Sequence, residues 1–140
     1  MKGVRYIKPV HEDQVFVANQ RAVAEETLPL FFFDGVIVES SSGKARFPYR
    51  MLIEYAIISV RVAGGSSTTL KFIVGDDIWE PEGRTVGTVT FGADTLYVRY
   101  NTPSDTVNPP VFDPLQWLRV DCTDAGAHED VTVQFWGRRM

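Results

Sequence analysis

A single cysteine in 140 residues leaves no intramolecular disulfide to staple the chain, so apolar burial has to hold it together. No apolar run is long enough for a signal h-region or a membrane span, which implies cytosol-like surroundings unless the chain is carried out within an assembly. A basic excess is missing as well: Lys and Arg number 14 against 18 Asp and Glu, for a formal net charge of −4. Binding to phosphates requires clustered Lys and Arg, and Arg138 with Arg139 are too few, so neither nucleic acid nor an anionic membrane is an expected partner. Repeats and coiled-coil heptads are also lacking, which argues against a segment of a long fibre.

What is there suits one soluble domain, with 44% hydrophobic and 23% charged residues. Alternation of apolar and polar side chains predicts strands. Met51, Ile53, Tyr55 and Ile57 share a face, and Ile58, Val60 and Val62 continue on the other phase. An inversion at Ile57-Ile58 predicts a bulge or a strand that crosses between sheets. Gly64-Gly65-Ser66-Ser67 followed by Leu70, Phe72 and Val74 reads as a hairpin. The acidic stretch from Gly75 to Gly83 reads as an exposed loop anchored by Trp79. Short strands are expected around Val86 to Phe91 and Leu96 to Tyr100. Asn101 to Pro114, with four prolines, predicts a long rigid loop. Leu118, Val120 and Cys122, then Val131, Val133 and Phe135, predict a closing hairpin, with the Cys122 thiol buried.

Strand signals at this spacing, with only a two-turn helical candidate at residues 19–26, predict an all-β antiparallel sandwich or jelly roll. Residues 1–33 differ in character, ending in Leu30-Phe31-Phe32-Phe33. They are expected either to add an edge strand or to form an arm that docks on a neighbouring subunit, with the sandwich proper spanning 34–140.

Constellations for chemistry are weak. His11-Glu12-Asp13 and His128-Glu129-Asp130 lack metal-ligand spacing, and Asp121, Asp124, Glu129 and Asp130 around Gly126 do not fit an EF-hand. Ser40-Ser41-Ser42-Gly43-Lys44 lacks the first glycine and the hydroxyl of a phosphate loop, and no nucleophile elbow or Cys–His pair occurs. A non-enzymatic protein without cofactor is expected. Aromatic residues remain as recognition candidates: Phe31, Phe32, Phe33, Trp117 and Trp136 for a protein interface, Trp79, Tyr97 and Tyr100 for stacking on a ligand such as a host surface glycan.

The run Phe47-Pro48-Tyr49-Arg50-Met51-Leu52-Ile53-Glu54-Tyr55-Ala56-Ile57-Ile58-Ser59-Val60, with Gly64-Gly65-Ser66-Ser67-Thr68-Thr69-Leu70-Lys71-Phe72, resembles the small β-sandwich modules of tailed-bacteriophage virions. The closing Leu118-Arg119-Val120, Gly126 and Asp130-Val131-Thr132-Val133-Gln134-Phe135 share that resemblance, which spans Phe47 to Phe135. Such modules serve as capsid decorations, head fibres or tail and baseplate appendages. The resemblance implies a non-enzymatic, often trimeric virion protein that is assembled in the host cytoplasm. One end would bind the major capsid or another virion protein while the other faces solvent or host. Gly75 to Gly83 departs from the tight turn usual there.

Overall fold

The computed structural model describes residues 26–76, 80–102 and 109–140. Their strands are β1 (Glu26–Val36), β2 (Ser40–Ser41), β3 (Met51–Val62), β4 (Thr68–Asp76), β5 (Glu80–Phe91), β6 (Tyr97–Asn101), β7 (Val111–Phe112), β8 (Trp117–Asp124) and β9 (Glu129–Arg139). The expected all-β sandwich forms. One sheet has the order β1-β9-β3-β6 with β7 beside the start of β3, the other β2-β8-β4-β5, and the pairings are antiparallel. Apart from β4-β5 and β6-β7, consecutive strands alternate between the sheets, which is the winding of a jelly roll.

Alternation aims one row of each strand into the space between the sheets. Leu28, Phe31 and Phe33 from β1 meet Val131, Val133 and Phe135 from β9, and Leu70, Phe72 and Val74 face them from β4. Phe135 links the layers, with its ring 4.8 Å from Phe72 and 5.8 Å from Phe31, both edge to face. Edge-to-face pairs add about 1 kcal/mol each beyond the area they bury. Cys122 is buried on β8, and burial pushes its thiol up from its ordinary value.

Several expectations need correction. Phase inversion in β3 falls at Glu54–Tyr55, where the register against β9 slips. Ala56 and Ile58 point inward and Ile57 outward. An apolar side chain on the outer face had displaced the apparent break. Neither expected hairpin forms: β3 and β4 belong to different sheets, as do β8 and β9, so both connections arch over the end of the sandwich. Gly75 and Gly83 lie inside β4 and β5 and not in a loop. A Cβ at Gly75 would come within 2.3 Å of the Trp117 ring and one at Gly83 within 3.1 Å, so both glycines make room for an indole packed across the sheet. Within the proline-rich stretch Val111–Phe112 pairs with β3, and the Arg84 guanidinium donates to the carbonyls of Pro109 and Val111 at 2.8 and 2.5 Å.

Residues 26–33 belong to an edge strand, since β1 pairs with β9 from Glu26 to Val36 and ends the order β1-β9-β3-β6. Residues 1–25, most of the helical candidate, Trp79 and residues 103–108 lie outside the described residues.

At one end of the sandwich three connections are tied by His128, which is fully buried. Nε2 lies 3.0 Å from the Gly92 carbonyl, an acceptor, so that nitrogen donates. Nδ1 then accepts from the Thr68 hydroxyl at 2.7 Å, and Thr68 Oγ1 accepts the Gly126 N–H at 2.9 Å. One side chain thereby joins the β3–β4, β5–β6 and β8–β9 connections, with the Phe91 ring edge-on to it at 4.8 Å. The backbones cross closely there: a Cβ at Gly64 would stand 2.1 Å from the Gly126 oxygen.

Candidate interaction surface

The two outer faces differ. On the β2-β8-β4-β5 sheet the outward positions that reach solvent include Thr69 and Lys71 on β4, Thr88 and Thr90 on β5, and Arg119, Asp121 and Thr123 on β8, while Ile73 and Trp117 of the same rows are covered. Hydroxyls and paired charges make this face polar; Arg119 Nε donates to Asp121 at 2.7 Å and Thr69 bonds Thr90 at 2.8 Å.

The outer face of the β1-β9-β3-β6 sheet follows from register. Phe32, Thr132, Ser59 and Tyr97 form one cross-strand row, and Leu30, Gln134, Ile57 and Arg99 the next. In the row beyond, Trp136 stands opposite Tyr55 and Tyr55 opposite Asn101. Leu30, Phe32 and Val36 are each more than half exposed along β1, and Tyr97 is 62% exposed on β6. Trp136 stacks on Tyr55 with ring centres 6.1 Å apart and planes inclined by 12°. From the next strand the Arg99 guanidinium lies 3.9 Å from the Tyr55 ring centre and donates to Asn101 at 3.0 Å. A ladder of ring, ring and guanidinium thus crosses three strands, with apolar side chains beside it. Ion pairs bound this patch, Arg61 with Asp130 beyond the Ser59 row and Arg138 with Glu54 beyond the Tyr55 row, and its centre has the Trp, Tyr and Arg content of interface centres.

The sequence candidates separate accordingly. Phe32, Trp136 and Tyr97 lie on this face. Phe31 and Phe33 are buried within the chain, because adjacent residues of a strand point to opposite sides. Trp117 has no exposed surface: it fills the space over Gly75 and Gly83, with the Lys44 ammonium 4.5 Å and the Arg119 guanidinium 4.9 Å from its ring centre. These three therefore present no contact surface. Tyr100 packs edge-on against Phe72 at 5.5 Å and belongs to the periphery of the core. Sequence reasoning missed Leu30, Tyr55, Ile57 and Arg99. For Leu30 and Ile57 the signal was present, as apolar residues out of phase with the buried row.

His128, Glu129 and Asp130 have separate uses: the ring joins the connections above, while both carboxylates pair with Arg61. Asp121 pairs with Arg119 in the other sheet, so the four acidic positions around Gly126 are not brought together. Asp130 has positive φ and accepts the N–H of Gly35, also at positive φ, at 2.7 Å. The Arg61 hydrogen bond, and secondarily the Gly35 amide, hold its carboxyl below the usual carboxylate range. A lowered native value means the contribution is present above the unfolded-state value and lost as pH falls through the native one. Asp130→Asn is therefore expected to flatten the acid limb of stability against pH, measured by urea unfolding; an unchanged limb would show that other carboxylates govern it.

No family model matches the chain, and no curated protein matches it either. Among solved structures it is similar to a chain in a structure of Triatoma virus, at 9% identity over 99% of this chain and 75% of that one (TM-score 0.45). It is also similar to a chain in a cryo-EM structure of mud crab dicistrovirus, at 12% identity over 86% and 71% (TM-score 0.41). A third likeness is to the crystal structure of PirA, at 9% identity over 79% and 82% (TM-score 0.39). These are loose overlaps.

Proposed function

We propose that the chain is a structural protein of a virus particle, and specifically a capsid decoration subunit of a tailed bacteriophage, acting by contact and not by catalysis. The observation that carries this reading is the contrast between the sandwich's outer faces: one polar, the other bearing Phe32, Leu30, Ile57, Tyr97 and the Trp136–Tyr55–Arg99 ladder. A jelly roll serves viral shells and lectins alike, so the fold does not choose between them. The resemblance carried by Phe47 to Phe135 favours the virion. An outer sheet face of this kind suits an interface of about 800 Å² per partner. The partner is the major capsid protein or another virion protein, with residues 1–25 as additional attachment.

Glycan recognition is the second reading, favoured by the exposure of Tyr97. Tyr55 is a poor sugar platform, because Trp136 and Arg99 reach it from the strands on either side.

Cosedimentation with purified particles tests the proposal. Ile57→Lys with Tyr97→Lys is expected to lower attachment at least roughly tenfold, since charges buried in an apolar contact are costly. The circular-dichroism spectrum should be unchanged. Undiminished attachment by this folded variant would refute the reading, and loss of glycan-array binding in its place would favour the second.

A further inference from the structure

We infer that the edge of β1 pairs with the same edge of a second copy of this chain, so that two β1-β9-β3-β6 sheets join across a two-fold axis. Among the described residues nothing pairs with the outer flank of β1, an eleven-residue strand. Natural edge strands discourage such pairing with Lys, Pro, bulges or short length. β1 contains no Lys or Arg, and its two acidic residues, Glu26 and Asp34, lie outside Leu30–Phe33. Pro29 and the register slips at Thr27/Leu30 and Phe33/Val36 fall to either side of Leu30–Phe33, which stays regular. The opposite edge is the short β6, with Arg99 at its centre.

The second copy is favoured over another occupant by the side chains and by where the remaining chain joins. Opposite residues of an antiparallel pair point to the same side, and an axis at Phe31 places Leu30 opposite the second copy's Phe32, twice over. Both are more than half exposed in the single chain. In the same register Glu26, where the preceding chain joins, lies opposite the second copy's Val36, which is 54% exposed. A partner of other sequence would gain neither reciprocity. The inference rests on the contact-protein reading above and gives the edge to the like copy; Leu30 and Phe32 border both edge and face, whereas Ile57 and Tyr97 lie on β3 and β6 and report on the face alone.

Light scattering on the full chain is expected to give the mass of two chains of 15.7 kDa each. Phe32→Lys, which sets an ammonium on each copy beside the opposing strand, should weaken the dimer by at least roughly tenfold. Mild oxidation of a Leu30→Cys/Phe32→Cys variant should give a reducible dimer, because directly opposed strand residues meet disulfide geometry. Tyr97→Cys should not. A monomer at high micromolar concentration, or a trimer, would overturn the inference. If a monomeric full chain became dimeric on removal of residues 1–25, its own N-terminal segment would be the occupant, and the inference would likewise fail. A dimer that does not bind particles would sink the virion reading and leave this one standing.

Discussion

His128→Ala is expected to lower the free energy of unfolding by about 3 kcal/mol, read from urea denaturation. The loss combines a cavity in a fully buried position with polar groups left unpaired: the Gly92 carbonyl loses its donor and the Thr68 hydroxyl its acceptor. Thr68→Val attacks the same relay from the other side, leaving His128 Nδ1 without its donor and the Gly126 N–H without its acceptor. Because the two residues share one network, the double variant should lose less than the sum, with a coupling of about 1 kcal/mol or more. Strict additivity would mean that the relay contributes nothing as a unit. Hydrogen exchange offers a sharper view, since the Gly126 amide should lose protection in either single variant.

Gly137→Ala is the second substitution with a large expected effect. Gly137 lies on β9 opposite Ile53, beside the bulge in β3, and an added Cβ would stand 1.9 Å from the Leu52 carbonyl oxygen and 3.0 Å from Leu28 Cδ1. Backbone cannot yield as a flexible side chain can. The bulge has to shift or the β3–β9 pairing open, at a cost of about 3 kcal/mol or more and a fall in Tm on the order of 10 °C. Gly92→Ala is the control: its Cβ would meet nothing within 4 Å, and its Tm should stay close to that of the parent. Equal Tm for Gly137→Ala and the parent would mean that the strands are not held as closely as described.

The inward rows of β4, β8 and β9 were legible from the sequence because Leu70, Phe72 and Val74, then Leu118, Val120 and Cys122, then Val131, Val133 and Phe135 alternate without interruption. Which sheet each strand joins was not legible. Two strands joined by Gly64-Gly65-Ser66-Ser67 show the same period whether they pair as a hairpin or arch between layers, since both arrangements bury alternate residues. Phe31-Phe32-Phe33 concealed its division because three identical residues carry no phase, and only the strand geometry assigns the middle ring outward. Trp117 looked like an exposed recognition residue because the space it fills is made by glycines in two other strands, Gly75 and Gly83. Phe32 and Trp136, read from the sequence as interface candidates, and Tyr97, read as a stacking candidate, stand on the outer face. The ladder was not legible, because a stack running Trp136 to Tyr55 to Arg99 exists only once β9, β3 and β6 lie side by side.

The position of β9 has a consequence for how the molecule is made. It is last of the strands in chain order, yet it sits between β1 and β3 and supplies the pairing that connects them. During synthesis β1 and β3 emerge early and have to wait, with their apolar rows uncovered, until residues 129–139 leave the ribosome. Completion of the sheet therefore waits until residues 129–139 are free of the ribosome, and nascent chains stalled before residue 129 should be protease-sensitive throughout.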